Sequence, residues 1–162
     1  MFNSRKLIAL FRPSLLTPYE RLLRMIEVGR FGEAHALASD LLNESGLEIG
    51  RRVALLNKRG IALVHLDRRP DALADFQACL ELDPQFAPTL VNVGNLLFED
   101  GQTEDAIAHY EAAIRCDDLY AIGHLNLGVA LKALGRHVES VRELRRASRL
   151  EGRFFKKPSR LA

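Results

Sequence analysis

The sequence lacks the features on which several classes of protein depend. It has no tryptophan and only two cysteines among 162 residues, so it carries neither a disulfide framework nor a cysteine-based metal motif. No apolar run approaches the roughly 18 residues that a membrane-spanning helix needs, and no segment is of low complexity. The composition, 48% hydrophobic and 27% charged residues, is that of a globular domain.

Motifs for catalysis and metal binding are also missing. None of the five histidines lies in a His-Glu-x-x-His arrangement, and neither a Gly-x-Ser-x-Gly nor a Gly-x4-Gly-Lys-Ser/Thr loop occurs. The acidic pairs Glu99-Asp100 and Asp117-Asp118 flank predicted helix boundaries, where carboxylates are usually solvated. We therefore predict a protein that is not an enzyme and has no catalytic residue, no metal and no cofactor.

The sequence does contain an internal repeat. Gly60, Gly94 and Gly128 are spaced 34 residues apart, and the pattern around them divides the chain into units 53–86, 87–120 and 121–154 without an insertion. Further aligned columns are Leu56/Leu90/His124, Leu63/Leu97/Leu131, Asp67/Gly101/Gly135, Ala72/Ala106/Ser140, Phe76/Tyr110/Leu144 and Cys79/Ala113/Ala147.

The glycines of these columns predict a helix hairpin in each unit. Gly60, Gly94 and Gly128 lie within helical periodicity, where glycine costs about 1 kcal/mol relative to alanine, so we expect close packing of another helix at these positions. Gly101 and Gly135 stand where the first helix of a unit should end, and we expect a positive φ there. Cys79, in a column otherwise filled by alanine, is expected to be a buried, reduced thiol.

The columns resemble the tetratricopeptide repeat family, whose pattern is Trp-x2-Leu-Gly-x2-Tyr, Ala-x3-Phe and Pro over 34 residues. Residues 90–97 with Ala106 and Tyr110 form the best copy, and Pro84 supplies the proline of the unit before it. The departures include Arg59, which replaces an apolar residue, and His124, which replaces the large anchor and is expected to fill a core position. The resemblance implies an all-α, right-handed superhelical solenoid of antiparallel helix hairpins with about four repeats.

A degenerate fourth copy precedes the three regular units. With Gly29 aligned to Gly101, Leu22 occupies the glycine column and residues 49–52 are extra. Terminal repeats are usually degenerate, so we expect residues 15–48 to form the N-terminal end of the array. The predicted organisation is thus a basic N-terminal segment (1–14), the array (15–154) and a basic C-terminal tail (155–162).

The N-terminal segment 1–14 has the pattern of a short amphipathic helix. Its apolar and basic faces are formed by Leu7, Ile8, Leu10 and Phe11 and by Arg5, Lys6 and Arg12. This pattern is typical of a cap on the first repeat, and also of a membrane-surface anchor or targeting peptide. The expected location is cytoplasmic, with membrane association if the second interpretation holds.

The resemblance places a binding groove on the first helix of each unit. The residues expected to line it are Asn57, Lys58, Ile61, His65, Asn92, Asn95, Phe98, Glu99, Asn126, Val129 and Lys132. An asparagine amide both donates and accepts, so it can hold a peptide backbone, or it can instead brace the neighbouring helix. Pro88 and Ile122 stand where a clamp for a C-terminal carboxylate would want a cation, so we expect no dedicated clamp.

Charge is distributed unevenly along the chain. Residues 87–120 carry one basic and seven acidic side chains, a net charge of −6, whereas residues 121–162 carry ten basic and three acidic ones, a net charge of +7. A basic stripe on the last helix consists of Arg142, Arg145, Arg146, Arg149 and Arg153. It is either a solvated terminal face or a surface for an anionic partner.

These features predict a protein-interaction module that binds a peptide segment or helix of a partner protein, as a scaffold or co-chaperone-like adaptor. The alternative is an adaptor that binds nucleic acid or an anionic membrane surface through the basic last helix and residues 1–14.

Overall fold

The computed structural model describes residues 16–155, and the predicted segment 1–14 and almost all of the predicted tail lie outside them. The described part contains only α-helices as regular elements. They are α1 Pro18–Glu27, α2 Phe31–Leu42, α3 Ile49–His65, α4 Arg69–Leu82, α5 Ala87–Glu99, α6 Thr103–Cys116, α7 Ala121–Ala133 and α8 His137–Phe155. None of these helices is both long and apolar enough to cross a lipid bilayer.

The chain comprises two compact units, with the boundary between Leu82 and Asp83. In the first unit α1 packs on α2, α2 on α3 and α3 on α4. In the second unit α5 packs on α6, α6 on α7 and α7 on α8, and α5 also contacts α7. Consecutive helices thus form hairpins in both units.

Each hairpin turns through one residue with a positive φ. The predicted left-handed positions Gly101 and Gly135 have φ of 79° and 75°, and Gly29 has 76°. The fourth turn uses Asp67 at 59°, the one non-glycine residue with a positive φ in the described part of the chain. In all four turns the N–H of the next residue donates to a carbonyl five residues earlier, at 2.8–2.9 Å, which closes the helix end in a Schellman motif.

The glycine column provides room for a large side chain of the second helix. A Cβ added at Gly94 would lie 2.6 Å from Cε1 of Tyr110, and one at Gly128 would lie 2.7 Å from Cγ of Leu144. Gly60 bears the same relation to Phe76, whose Cδ1 would be 2.8 Å away. The expected close approach is therefore present in all three hairpins, and its partner is a side chain in the Phe76/Tyr110/Leu144 column.

The first hairpin has the opposite distribution of side-chain size. Leu22 occupies the glycine column, and the aligned position on α2 holds Ala38 instead of a large residue. Both side chains are fully buried. A large residue on the first helix opposite a small one on the second can fill the same space as glycine opposite an aromatic ring.

The four extra residues 49–52 are helical. Helix α3 begins at Ile49 and has 17 residues, whereas α5 and α7 have 13 each. Residues 49–52 therefore add one N-terminal turn to α3. Cys79 is fully buried, as expected, with its Sγ 3.5 Å from the carbonyl oxygen of Val53.

Candidate functional site

In the second unit the predicted asparagines join the first helices of two hairpins. Asn126 on α7 donates from Nδ2 to Oδ1 of Asn95 on α5 at 2.7 Å. The same oxygen accepts from the hydroxyl of Tyr110 on α6 at 2.9 Å. Asn95 Oδ1 thus receives two hydrogen bonds, and three helices meet at one side chain.

Tyr110 takes part in this network as a hydrogen-bond donor. Burial and, to a smaller extent, the negative charge of Glu99 together raise the pKa of Tyr110 to about 12. The hydroxyl therefore remains protonated at neutral pH and donates to Asn95. This orientation leaves Asn95 Nδ2 as a donor and Asn126 Oδ1 as an acceptor, with no partner among the described residues.

Apolar side chains are exposed beside this polar pair. Ile122 and Val129 lie four residues before and three residues after Asn126, so they share its side of α7. They are 48% and 44% exposed. Phe98 is half-buried, and Lys132 and Glu99 are exposed. The surface therefore combines amide groups and apolar side chains, as the sequence predicted, and it also includes Ile122.

Asn92 is half-buried and already has an interaction partner. The asparagines of this unit thus brace neighbouring helices and also present groups to solvent, so the two interpretations of these residues are compatible.

In the first unit the predicted residues occupy different environments. Asn57 is only 2% exposed and its polar atoms are not left unpaired. A buried side chain cannot contact a partner directly, so the expectation for Asn57 is corrected. Ile61 and Lys58 are half-buried, and burial lowers the pKa of the Lys58 ammonium group. The ring of His65 stacks on Phe31 of α2 with centroids 4.0 Å apart.

The basic stripe on α8 is partly neutralised. Arg142 forms an ion pair with Glu143 at 2.9 Å, and Arg146 lies 3.7 Å from Asp118. Arg145 and Arg149 are exposed. The side chain of Arg153 lies outside the described part of the structure.

A partly buried ion pair and a buried hydrogen-bonded pair were not foreseen from the sequence. Arg59 binds Asp75 through two hydrogen bonds of 2.6 and 2.7 Å, and the carboxylate raises the pKa of the Arg59 guanidinium group. His124 is buried, as expected, with Nδ1 2.8 Å from Glu143 Oε2 and Nε2 3.1 Å from the carbonyl oxygen of Asp118.

The alignment columns contained the signal for these pairs. Asp75 and Glu143 occupy the same column, on the second helix of the hairpins whose first helices carry Arg59 and His124. Burial tends to raise the pKa of Glu143, but the hydrogen bonds from His124 and Arg142 outweigh it, so the pKa is lowered. Both pairs join the two helices of one hairpin and explain how a charged side chain can occupy an otherwise apolar column.

Within residues 16–155 no three His, Cys, Asp or Glu side chains are grouped so that they could hold a metal ion.

Two family models match this chain. One described as TPR repeat covers residues 94–135, and one described as tetratricopeptide repeat covers residues 76–108. No curated protein sequence matches the chain significantly.

Solved structures of low sequence identity share the fold. MamA is 18% identical with a TM-score of 0.67, and the match covers 94% of this chain and 87% of MamA. YrrB is 21% identical with a TM-score of 0.61, over 83% of this chain and 68% of YrrB. The second TPR of Spaghetti (RPAP3) is 18% identical with a TM-score of 0.57, over 62% of this chain and 93% of that domain. The family models thus identify tetratricopeptide repeats within residues 76–135, and the described helices share the fold of these solved tetratricopeptide repeat structures.

Proposed function

We propose that this chain is a non-catalytic protein-interaction module that binds an extended peptide segment of a partner protein on the surface formed by α5 and α7. It would act as a scaffold or a co-chaperone-like adaptor. The observation that carries this proposal is the hydrogen-bonded pair Asn95 and Asn126 beside the exposed side chains of Ile122 and Val129.

The polar pair suits the backbone of a peptide. Asn95 Nδ2 can donate to a peptide carbonyl while Asn126 Oδ1 accepts from a peptide N–H, so one peptide group could satisfy both. The network through Tyr110 holds both amides in place before binding, which reduces the entropy lost when a ligand is immobilised. These contacts would not depend on the ligand sequence.

Selectivity would come from the side chains around the pair. Ile122 and Val129 favour an apolar ligand residue, and the ammonium group of Lys132 favours an acidic one nearby. Ile122 and Pro88 replace the cations of a carboxylate clamp. We therefore propose recognition of an internal segment instead of a free C-terminus.

Two proteins with the same fold have peptide-binding sites. YrrB is described as a TPR protein with an unusual peptide-binding site. The second TPR of RPAP3 was solved with the HSP90 peptide SRMEEVD. These likenesses support a peptide ligand as a class and do not specify its sequence.

Capture of partners with the purified chain as bait, followed by mass spectrometry, tests the proposal. Val129→Glu would place a carboxylate in the apolar part of the surface, and Ala108→Glu makes a comparable change at an exposed position of α6. We expect a specific partner to be retained by wild type and Ala108→Glu and lost by Val129→Glu. Equal capture by all three would show that the ligand binds elsewhere.

A further inference from the structure

The last hairpin leaves uncovered a face that is covered in the hairpin before it. Ile107 on α6, where α7 packs against that helix, is 5% exposed, and its counterpart on α8, Val141, is 46% exposed. On the first helices, Val91 is buried and its counterpart Leu125 is exposed. No described helix follows α8, and Val141 and Leu125 lack the cover that their counterparts in the preceding hairpin have.

The uncovered part of α8 forms a shallow, open depression with mainly apolar walls. Its lining residues are His137, Val138, Val141, Arg142, Arg145 and Arg149. Val138 is 87% exposed, which is unusual for a valine on a protein surface with no partner. We call this set of six residues the α8 face.

The α8 face is strongly basic. Three arginines and a histidine line it, and no carboxylate does. The positions of α6 that correspond to Arg142, Arg145 and Arg149 hold Ala108, Glu111 and Arg115, which carry no net charge together. The positive charge therefore belongs to this helix and is not a general feature of the repeat.

We propose that the α8 face docks an acidic amphipathic helix of another protein. Val138, Val141, Arg145 and Arg149 recur at spacings of three and four residues along α8, which suits the side-chain spacing of a partner helix. Apolar residues of the partner would cover Val138 and Val141, and flanking carboxylates would pair with Arg145 and Arg149. The site goes beyond the proposed peptide surface, since it lies on a different helix and shares no residue with it.

The terminal segments and helices α1 and α6 of this chain do not have the required chemistry. Residues 1–15 and residues 156–162 each contain three basic side chains and no acidic one. Helix α1 of a second copy has two acidic and two basic side chains. Helix α6 of a second copy is acidic but exposes no large apolar side chain. The face offers a nucleic acid no Phe, Tyr or Trp side chain for stacking.

Two synthetic helical peptides test the proposal by fluorescence anisotropy. They share one leucine stripe, and their flanking charges are glutamate in one and lysine in the other. We expect the folded wild-type chain to bind the glutamate peptide at least tenfold more tightly, about 1.4 kcal/mol. Val138→Gln with Val141→Gln should weaken this binding about tenfold, and so should Arg145→Gln with Arg149→Gln.

Matched controls separate the α8 face from general effects. Val28→Gln changes an exposed valine of the first unit, and Arg115→Gln removes the arginine that corresponds to Arg149 on α6. Both should leave peptide affinity unchanged, and circular dichroism should show all variants folded.

Several results would overturn the proposal. They are absence of binding to the glutamate peptide, equal affinity for the two peptides, and a valine double variant that binds like wild type. Tighter binding of single-stranded oligouridylate or phosphatidylserine vesicles than of the glutamate peptide would assign the face to those ligands. A dimer in sedimentation that the valine substitutions dissociate would assign it to a second copy.

Discussion

At the scale of single residues, pairs of side-chain sizes determine how each hairpin packs. Glycine on the first helix is matched by Phe76, Tyr110 or Leu144 on the second, and the first hairpin reverses the sizes with Leu22 and Ala38. The sum of the two volumes matters more than the identity of either residue, because a close-packed interior tolerates neither a void nor an overlap.

Gly94→Ala should destabilise the fold by about 1–3 kcal/mol, because the new methyl group would overlap the ring of Tyr110, which its hydroxyl bond to Asn95 holds in place. Urea unfolding followed by circular dichroism measures this change. Gly32→Ala, where nothing lies within 4 Å of the added Cβ, is the control and should be neutral or mildly stabilising. Equal midpoints for the two variants would show that the glycine column is not a packing contact.

Asp67→Gly should stabilise the protein by up to about 1 kcal/mol, since Asp67 adopts a positive φ of 59° that glycine reaches without steric cost. The reciprocal change, Gly101→Asp, places aspartate in the same turn of the next hairpin and should destabilise by a similar amount. Thermal melts of both variants provide the measurement. Destabilisation by Asp67→Gly would mean that the carboxylate contributes more than the backbone strain removes.

Tyr110 should make stability depend on alkaline pH. Its folded-state pKa of about 12 exceeds the ordinary value of about 10. The contribution of protonated Tyr110 to the unfolding free energy is therefore complete below a pH of about 10. It is lost as the pH rises toward about 12. Wild type should lose unfolding free energy faster than Tyr110→Phe over this range, as urea titrations at several pH values can show. Parallel losses would indicate that Tyr110 titrates normally.

At the scale of the helices, the regular alignment columns made the fold predictable. Residues that depart from those columns could not be placed in the same way. The turns at Gly101 and Gly135 and the buried positions of Cys79 and His124 agree with the sequence expectation. The sequence showed that residues 49–52 are extra to the repeat but not that they form the first turn of α3, because periodicity locates the repeated part of a helix and not its start.

The candidate site was predictable only in part. The candidate positions on α5 and α7 came from the repeat register, but no alignment column reveals that Tyr110 and Asn95 lie within hydrogen-bond distance. The hydroxyl that distinguishes Tyr110 from Phe76 was the available signal, because a buried hydroxyl needs a partner. Asn57 was expected at the binding surface but is buried, because burial depends on the neighbouring helices and not only on position within the repeat.

The ion pair between Arg59 and Asp75 provides a test at this scale. Asp75→Ala leaves a half-buried guanidinium without its carboxylate, and we expect a loss of about 1–3 kcal/mol. Adding Arg59→Val, which copies Val93 of the next repeat, should recover most of that loss. Urea unfolding of wild type, the single variant and the double variant measures these changes in stability. A double variant no more stable than Asp75→Ala would show that Arg59 contributes through its other contacts.

At the scale of the whole molecule, the small net charge results from acidic and basic residues that are concentrated in different parts of the chain. The chain has a formal charge of +2, composed of −6 in residues 87–120, +7 in residues 121–162 and +1 in the remainder. Anionic partners would be drawn to one part of the chain, and the proposed peptide surface borders that part through α7.

Removing the basic stripe should separate the two proposed surfaces. We expect Arg142, Arg145, Arg146 and Arg149 changed together to Gln to keep affinity for the α5 and α7 peptide within about threefold, roughly 0.65 kcal/mol. The same variant should lose the glutamate helix. Calorimetry with a peptide mapped from a captured partner measures the first affinity. Loss of both ligands, with steep salt dependence in wild type, would favour an anionic-polymer adaptor instead.

The reversed pair Leu22 and Ala38 has a consequence for exchange among the hairpins. A helix with leucine at this position would clash with the ring of Phe76 or Tyr110, and a glycine helix placed against Ala38 would leave a cavity. A helix of the first hairpin therefore cannot replace the corresponding helix of a later hairpin, although all four hairpin turns contain a residue with a positive φ. Recombination within the array, or mispairing during folding, is restricted to the three regular hairpins, and the first keeps a fixed place in the order of the chain.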